Sequence, residues 1–168
     1  MKLFTRIFIL LGALLFSQLP LFISAYTQQL SGRVAELKLQ RDALLRIAQQ
    51  SGKTLDQYIY KFLNSTDPDF HGQGEWMQAT LKRFQAFSES LNSLKLSSPW
   101  QKPLIFFKDF NLEVGQATIK EFSAGLPLTL EGAAYAAAGA LFGWIVFLAL
   151  RQLCRAVAAP FRRKAAGA

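Results

Sequence analysis

A run of nineteen residues, 132–150, contains no Asp, Glu, Lys or Arg and limits what the chain can fold into. As an α-helix rising about 1.5 Å per residue, it would cover roughly 28 Å, close to the ~30 Å hydrocarbon core of a bilayer. Its bulky side chains would point in every direction, which excludes an amphipathic helix. The run predicts a transmembrane helix over residues 129–150, with Thr129 as N-cap and Glu131 in the first turn.

A second uncharged run, residues 7–25, follows the sequence MKLFTR. A cleaved secretory signal peptide would use Lys2 and Arg6 as its basic region and the sequence ISA as its cleavage site. The alternative is an uncleaved signal anchor. The nineteen residues of the run favour the anchor, because the apolar part of a signal peptide has about 7 to 15. Pro20 is compatible with both, since it ends an apolar segment or kinks a membrane helix.

Basic residues flank the outer ends of both runs, and such residues stay on the cytoplasmic side of a membrane. They are Lys2, Arg6, Arg151, Arg155, Arg162, Arg163 and Lys164. We therefore expect a bacterial inner-membrane protein with both termini cytoplasmic. Residues 1–6 form its N-terminus, residues 151–168 form a basic tail, and residues 26–128 form a periplasmic domain between the two membrane helices.

The central segment shows helical periodicity. Apolar positions recur at spacings of three and four in two long stripes, residues 30–48 and residues 76–94. The sequence predicts an all-α fold in which two membrane helices flank a periplasmic helical hairpin. Start and stop signals predict that the first membrane helix extends to about Gln50 and that a short helix capped by Thr54 covers residues 55–63. Two further helices are predicted to start at Asp67 and Pro68 and at Ser98 and Pro99. A last helix of the central segment is predicted over residues 111–122.

The formal net charge of +8 lies mostly outside the central segment. Residues 27–128 contain twelve Lys and Arg and ten Asp and Glu, a net of +2, and the remaining excess flanks the apolar runs. A nucleic-acid-binding protein would concentrate positive charge on one folded face, so we expect no nucleic-acid partner. Cys154 is the single cysteine, which excludes an intramolecular disulfide and a cysteine-based metal cluster.

The sequence DPDFHGQGEW is the most chemically suggestive stretch. Asp67, Asp69, His71 and Glu75 occupy positions 1, 3, 5 and 9 of a calcium-loop pattern, but position 12 is Gln78, which cannot supply the bidentate carboxylate. The preferred interpretation is a helix start with an Asp cap, acidic residues in the first turn and flexible glycines. Because no catalytic motif accompanies the single histidine, we expect no enzymatic activity, cofactor or metal.

Small residues recur in the second apolar run and let another helix approach closely. They are Gly132, Ala136, Gly139, Ala140 and Gly143. Gly139 and Gly143 form a G-x-x-x-G pattern, and Ser17 and Gln18 of the first run could hydrogen-bond across such a contact. The partner is either the first membrane helix of the same chain or a helix of a second copy, and the sequence leaves both open.

The stretch from Pro99 to Lys108 combines Trp100 with the apolar sequence PLIFF. Burial of Trp100 in the core of the domain is the preferred interpretation. The alternative is a segment at the membrane surface, with Trp100 as an interfacial anchor and Lys102 and Lys108 near lipid headgroups.

Several quoted motifs resemble, as a set, a family of small proteobacterial membrane proteins catalogued only as a domain of unknown function. The similarity extends to about Arg151 and is carried by SQLP (residues 17–20), YTQQLSGRVAEL (26–37), TLDQYIYKFLNSTDP (54–68), SPWQKPL (98–104) and GLPLTLEGAAYAAAGALFGW (125–144). The resemblance implies two membrane helices around a helical extracytoplasmic segment. It implies no activity and no functional residues.

Two functions are compatible with these features. The first is a non-enzymatic interaction or assembly element, with the lipid bilayer and either a second copy or another membrane protein as partners. The alternative is a small transport or channel component formed by several copies. Ionisable residues inside a membrane usually mark a transport pathway, and Glu131 at the edge of the second run is the only such residue, which counts against transport.

Overall fold

The computed structural model describes residues 2–125 and 130–165, with the side chains of residues 3–125 and 130–153. Every regular element in these ranges is an α-helix, which confirms the predicted all-α fold class. Thr129, the expected N-cap of the second apolar helix, lies outside the described residues. In chain order the helices are α1 (Lys2–Ser17), α2 (Leu19–Gln50), α3 (Leu55–Leu63), α4 (Pro68–Leu96), α5 (Lys102–Lys108), α6 (Leu112–Glu121) and α7 (Leu130–Ala165).

The chain divides into two compact units. The first consists of Met1–Ile23 and Phe122–Ala168, and the second consists of Ser24–Glu121. In the first unit α1 and α7 pack against each other. The rings of Phe16 and Phe142, one from each helix, have their centroids 5.3 Å apart in a tilted arrangement. The second unit contains most of α2 together with α3, α4, α5 and α6.

Two helical stretches, Leu3–Gln50 and Leu130–Leu153, are long and apolar enough to cross a membrane by their length and composition. The core helix of a soluble domain would be mostly enclosed by protein. Here, 17% of the most apolar window of the first stretch and 11% of that of the second are buried inside the structure. The large apolar side chains that point outward on them include Leu10, Leu14, Leu141 and Ile145.

A single residue, Gln18, separates α1 from α2. Pro20 has no N–H group, so it cannot donate the helical hydrogen bond to the carbonyl of Phe16. The Gln18 N–H instead donates to the Leu15 carbonyl at 3.2 Å, and the helical pattern resumes where the Phe22 N–H donates to the Gln18 carbonyl at 2.9 Å. The predicted extension of the first apolar helix to the end of α2 is confirmed, with this one interruption.

Local signals end α2 and start α3. Gly52 has a φ of 67°, a left-handed conformation that glycine adopts without steric cost. The Gln57 N–H donates to Thr54 Oγ1 at 3.2 Å, and the Thr54 N–H donates to Gln57 Oε1 at 3.1 Å. This reciprocal pair is the predicted capping box, and the predicted bounds of α3 are confirmed.

Two further helix starts agree with the sequence. Asp67 caps α4 by accepting a hydrogen bond from the Asp69 N–H at 2.9 Å, and Pro68 follows it as the first helical residue. Asn111 precedes α6 and accepts a hydrogen bond from the Val114 N–H at 3.1 Å. The predicted cap at Asp67 and the predicted last helix are therefore confirmed, the latter to within one residue at each end.

The start of α5 differs from the prediction. The sequence places it at Pro99, whereas the helix begins at Lys102. Ser98 instead forms a turn in which its carbonyl accepts hydrogen bonds from the N–H groups of Gln101 and Lys102, both at 3.0 Å. Pro103 explains the later start, because a proline in the interior of a longer helix would leave a carbonyl without its donor, whereas the first turn tolerates it.

The glycines of α4 lie inside a continuous helix, whereas the sequence predicted a flexible stretch at the helix start. The helix continues through Gly72 and Gly74 without interruption. Gly74 is buried, and a Cβ atom added there would lie 2.7 Å from the Leu63 nitrogen and 3.0 Å from the carbonyl carbon of Phe62. Glycine at position 74 therefore allows the backbone of α4 to approach the end of α3. Nothing lies within 4 Å of a Cβ atom added to Gly72.

We expect alanine to have opposite effects at these two glycines. Gly72→Ala should stabilise the protein by about 0.5–1 kcal/mol, because alanine loses less conformational entropy in a helix and meets open space. Gly74→Ala should destabilise it by about 1–3 kcal/mol, because backbone atoms must move. Thermal unfolding of the full chain in detergent, followed by circular dichroism, checks both. Equal shifts at the two positions would contradict the close approach of α3 and α4.

The buried residues of the second unit largely follow the predicted stripes. Trp76 is an exception: it is 49% exposed, and its neighbour Met77 is buried instead. Met77 forms a core cluster with Leu44 of α2 and Ile59 of α3. The predicted stripe residues that are buried are Leu30, Leu37, Leu44 and Ala48 in α2 and Thr80, Phe87, Leu91 and Leu94 in α4.

Candidate functional site

Glycine residues form the contact between α1 and α7. A Cβ atom added to Gly139 would overlap the carbonyl oxygen of Gly12 and lie 2.5 Å from the Cβ atom of Phe16. A Cβ atom added to Gly143 would overlap the carbonyl oxygen of Phe8. Backbone therefore meets backbone at this contact, which is the close approach that small residues permit between apolar helices.

Of the predicted small residues of α7, the structure places Gly139 and Gly143 against the first apolar helix of the same chain, which is one of the two alternatives left open by the sequence. Gly132, Gly139 and Gly143 are buried, and Ala136 and Ala140 are half-buried. Gly12, the residue of α1 that contacts Gly139, is not among the contact residues predicted from the sequence. In the sequence, Gly12 is a single glycine among bulky apolar residues. Such a glycine indicates a helix contact only when the facing helix is known.

Gln18 makes a polar contact within this unit. Its Nε2 atom donates to the Gly125 carbonyl at 2.9 Å, and its Oε1 atom accepts from the Gly125 N–H at 3.2 Å. The amide of Gln18 thus satisfies both backbone groups of one residue in the segment before α7. Ser17 behaves differently from the expected interhelical bond, since its hydroxyl donates to the Leu14 carbonyl of its own helix at 2.8 Å.

The basic residues expected to set the membrane orientation are described only in part. Arg6 is exposed and Arg151 is half-buried. The side chains of the others lie outside the described side chains, namely Lys2, Arg155, Arg162, Arg163 and Lys164. The helical backbone of α7 extends through the last four of these positions to Ala165.

The residues considered for a metal site have structural roles. Asp67 caps α4, and His71 Nδ1 lies 2.6 Å from the Leu63 carbonyl oxygen, so that nitrogen carries the hydrogen and donates. His71 Nε2 lies 3.5 Å from Glu75 Oε1, one helical turn away. In the part of the chain that the structure describes, no three His, Cys, Asp or Glu side chains are grouped so that they could hold a metal ion.

An ion-pair cluster centred on Glu113 joins three helices of the second unit. Arg33 Nη1 of α2 lies 2.5 Å from Glu113 Oε1, and Arg83 Nη2 of α4 lies 3.2 Å from Glu113 Oε2. About two turns of α6 further on, Glu121 Oε2 accepts a hydrogen bond from Gln29 Nε2 of α2 at 2.8 Å. This cluster is not predictable from the sequence, because the sequence does not indicate which charged residues far apart in the chain form ion pairs with each other.

The electrostatics of the cluster lower the pKa of Glu113. The hydrogen bond from Arg33 is the largest cause, and the positive charges of Arg33 and Arg83 add to it against a smaller effect of burial. The charged form of Glu113 is thus favoured in the folded state. The ion pairs of Glu113 therefore stabilise the folded state fully at a pH above the ordinary pKa of the carboxyl group. This stabilisation is lost as the pH falls through the lowered pKa.

Replacement of Glu113 by glutamine tests this linkage. Because the Glu113 side chain is more than half exposed, solvent screens the pairs, and we expect Glu113→Gln to cost about 0.2–1 kcal/mol at pH 7 and less in high salt. The difference from the unaltered chain, measured by thermal unfolding, should vanish as the pH falls through the lowered pKa of Glu113. Glu89→Gln is the control, because Glu89 bonds the neutral side chain of Gln85. A pH-independent cost would contradict the ion-pair origin.

Comparison with known proteins places the chain among uncharacterised proteins. Residues 1–163 match a family model described as "Protein of unknown function (DUF2937)". This match supports the resemblance to an uncharacterised family that the sequence motifs indicated. No curated protein and no solved structure matches the chain.

Proposed function

The chain belongs to the DUF2937 family of proteins of unknown function, and we propose that it is an integral inner-membrane protein that acts as a non-enzymatic interaction or assembly element. In this proposal α1 and α7 cross the membrane, both termini are cytoplasmic, and the second unit is a periplasmic helical domain built on a hairpin of α2 and α4. The role is to hold or recruit other proteins at the membrane.

The observation that carries the proposal is the exposure of the two apolar helices. They bury their glycines against each other and point leucine, isoleucine and phenylalanine side chains outward. In water such a surface would be strongly unfavourable, whereas lipid tails solvate it without cost. The basic residues at the outer ends of both helices support the cytoplasmic location of the termini.

An outward apolar face on α6 supports an interaction role for the second unit. Leu112 and Ile119 are seven residues apart, so they lie on the same face of the helix, and both are about two-thirds exposed. Large apolar side chains exposed on one face of a folded domain are typical of a site of association. The opposite side of α6, with Val114 and Thr118, is buried in the unit.

Labelling with a membrane-impermeant maleimide tests the topology in intact cells. Cys154 is the native cysteine and reports the proposed cytoplasmic end, so it should react only after the cells are permeabilised. In a Cys154→Ser chain carrying Gln73→Cys, the new thiol should react in intact cells whose outer membrane is permeable to the reagent. The reverse pattern would overturn the proposed orientation, and equal reaction of both thiols without permeabilisation would overturn the membrane location.

A photo-crosslinking amino acid at Ile119 tests the interaction role. We expect a discrete crosslinked species from Ile119 and none from Tyr60, a similarly exposed residue of α3 outside the proposed surface. The mass of the species distinguishes a second copy of the chain from another protein. Absence of crosslinking at both Leu112 and Ile119 would remove α6 as an interaction surface.

A further inference from the structure

The side chains of α5 divide into an inner and an outer set. Phe106 is buried, at 3% exposed, whereas Leu104 and Phe107 are 74% and 66% exposed. Trp100, in the turn just before the helix, is 76% exposed, so the preferred sequence interpretation, burial of this residue in the core, is wrong. We call Trp100, Leu104 and Phe107 the outer face of α5. Three large apolar side chains on so short a segment are more than scattered surface exposure explains.

Helix geometry keeps this outer face together. Leu104 and Phe107 are three residues apart and lie on one face of the helix, while Phe106 points to the other side. On that inner side the Phe106 ring packs against Tyr26 in an edge-to-face arrangement, with centroids 5.0 Å apart, and against Phe110 at 5.3 Å. The inner contacts fix the rotation of α5 and therefore fix which side chains remain outside.

Tyr26 locates α5 along the chain's path from the membrane. It is the first residue after the predicted span, residues 7–25, and its hydroxyl accepts a hydrogen bond from the Asn111 N–H at 2.9 Å. The packing of Phe106 and Phe110 on Tyr26 therefore holds α5 at the end of the second unit where the chain leaves the predicted span. Within the second unit, α5 thus packs on a residue that directly follows the predicted span in the sequence.

The charged residues that flank the outer face in the sequence are mainly positive. Lys102 and Lys108 are the first and last residues of α5, and Lys95 lies in the last turn of α4. The acidic residue of the segment, Asp109, follows Lys108 and acts on Tyr26 on the inner side. Lysines on both sides of an exposed tryptophan and phenylalanine are the composition of a segment at a membrane interface, where aromatic rings lie at headgroup level and ammonium groups meet phosphates.

We propose that the outer face of α5 lies in the headgroup region of the bilayer and binds anionic phospholipid. The positive charge of these lysines favours lipid over a second copy of the chain as the molecule that covers the outer face of α5. A two-fold contact through this face would bring the lysines of one copy against those of the other, whereas anionic headgroups neutralise them. The proposal rests on the proposed membrane location of the chain, and it adds a third, peripheral lipid contact to the two spans.

The three tryptophans allow a test with the full chain in vesicles of phosphatidylcholine and phosphatidylglycerol. Chains that retain one tryptophan, with the other two replaced by phenylalanine, are reconstituted with lipids brominated either near the headgroup or near the chain end. Trp100 should be quenched most by bromine near the headgroup and little by aqueous acrylamide. Trp76 on α4 is the control for an exposed site away from α5 and should be quenched by acrylamide alone.

Trp144, in the second predicted span, separates the possible failures. Quenching of Trp144 by brominated lipid without quenching of Trp100 would overturn the α5 proposal and leave the membrane location intact. Absence of lipid quenching at both would overturn the membrane location as well. Protection of Trp100 from both bromine and acrylamide would indicate that a second copy of the chain covers this face and would equally overturn the proposal.

Substitution of one outer-face residue gives a second measure. Leu104→Asp should abolish the lipid quenching of Trp100 and shift its emission to longer wavelength, and vesicles without phosphatidylglycerol should weaken the quenching. Leu39→Asp on α2, a similarly exposed leucine outside α5, should leave both signals unchanged. Unaltered quenching of Trp100 in the Leu104→Asp chain, with helicity retained, would overturn the role of the outer face.

Discussion

Gly139→Ile is expected to separate α1 from α7 and to destabilise the full chain by about 3 kcal/mol, the upper part of the range for an overfilled contact. The added side chain meets the carbonyl oxygen of Gly12 and the Cβ atom of Phe16, and no rotamer removes a clash that begins at Cβ. Because backbone is the obstacle, the helices must move apart along their length. Unfolding in a titration of dodecyl sulphate into mild detergent, followed by circular dichroism, measures the loss.

Ala138→Ile is the matched control for this prediction. Ala138 is the neighbouring residue of α7 and is exposed, so isoleucine there meets detergent or lipid and should leave the unfolding midpoint almost unchanged. Gly12→Ile, on the facing helix, should reproduce the effect of Gly139→Ile. Equal midpoints for Gly139→Ile and Ala138→Ile would contradict the glycine contact between α1 and α7.

The same variants separate the two partners that the sequence left open for the small residues of α7. If Gly139 serves a contact between α1 and α7 of one chain, its replacement lowers the stability of the monomer at every protein concentration. If it served a contact between copies, the effect would appear as a change of oligomer size and would depend on protein concentration. The burial of Gly139 against Gly12 favours the first outcome.

Helix limits were the most predictable part of this fold, because they depend on residues close together in the sequence. The hydroxyl of Thr54 and the amide of Gln57 form their box within one turn, and Gly52 supplies the left-handed residue that stops α2. The start of α5 was missed because Pro99 and Pro103 offer two competing starts. Local rules do not decide between them, since the choice depends on what the following turn packs against.

Contacts between helices were not predictable from the sequence. The pairing of Gly12 with Gly139, and of Glu113 with Arg33 and Arg83, joins residues far apart in the chain. Periodicity shows which face of a helix is apolar but gives neither the partner helix nor the register. The exposure of Trp100 was not predicted for the same reason. When the packing neighbours of an apolar segment are unknown, the segment is expected to be buried in the core.

Tyr26→Ala is expected to destabilise the second unit by about 3–5 kcal/mol, the loss typical of a large aromatic side chain removed from a core. Tyr26 is fully buried and packs between Phe106, edge to face, and Phe110, whose ring is stacked at 5.6 Å. Burial also raises the pKa of the Tyr26 hydroxyl, so this group stays neutral. The hydroxyl accepts a hydrogen bond from the Asn111 N–H. Thermal unfolding of the full chain, followed by near-ultraviolet circular dichroism, measures the loss of this packing.

Tyr26→Phe isolates the hydrogen bond from the packing. The ring contacts remain, but the Asn111 N–H loses its acceptor, and we expect a cost of about 1–3 kcal/mol, the range for a buried donor left unsatisfied. Tyr60→Ala is the control, because Tyr60 is an exposed tyrosine of α3 and its replacement should change stability by less than about 0.5 kcal/mol. If Tyr26→Phe were as stable as the unaltered chain, the hydroxyl would have no part in holding α5 against α2, and the position of α5 would depend on the aromatic rings alone.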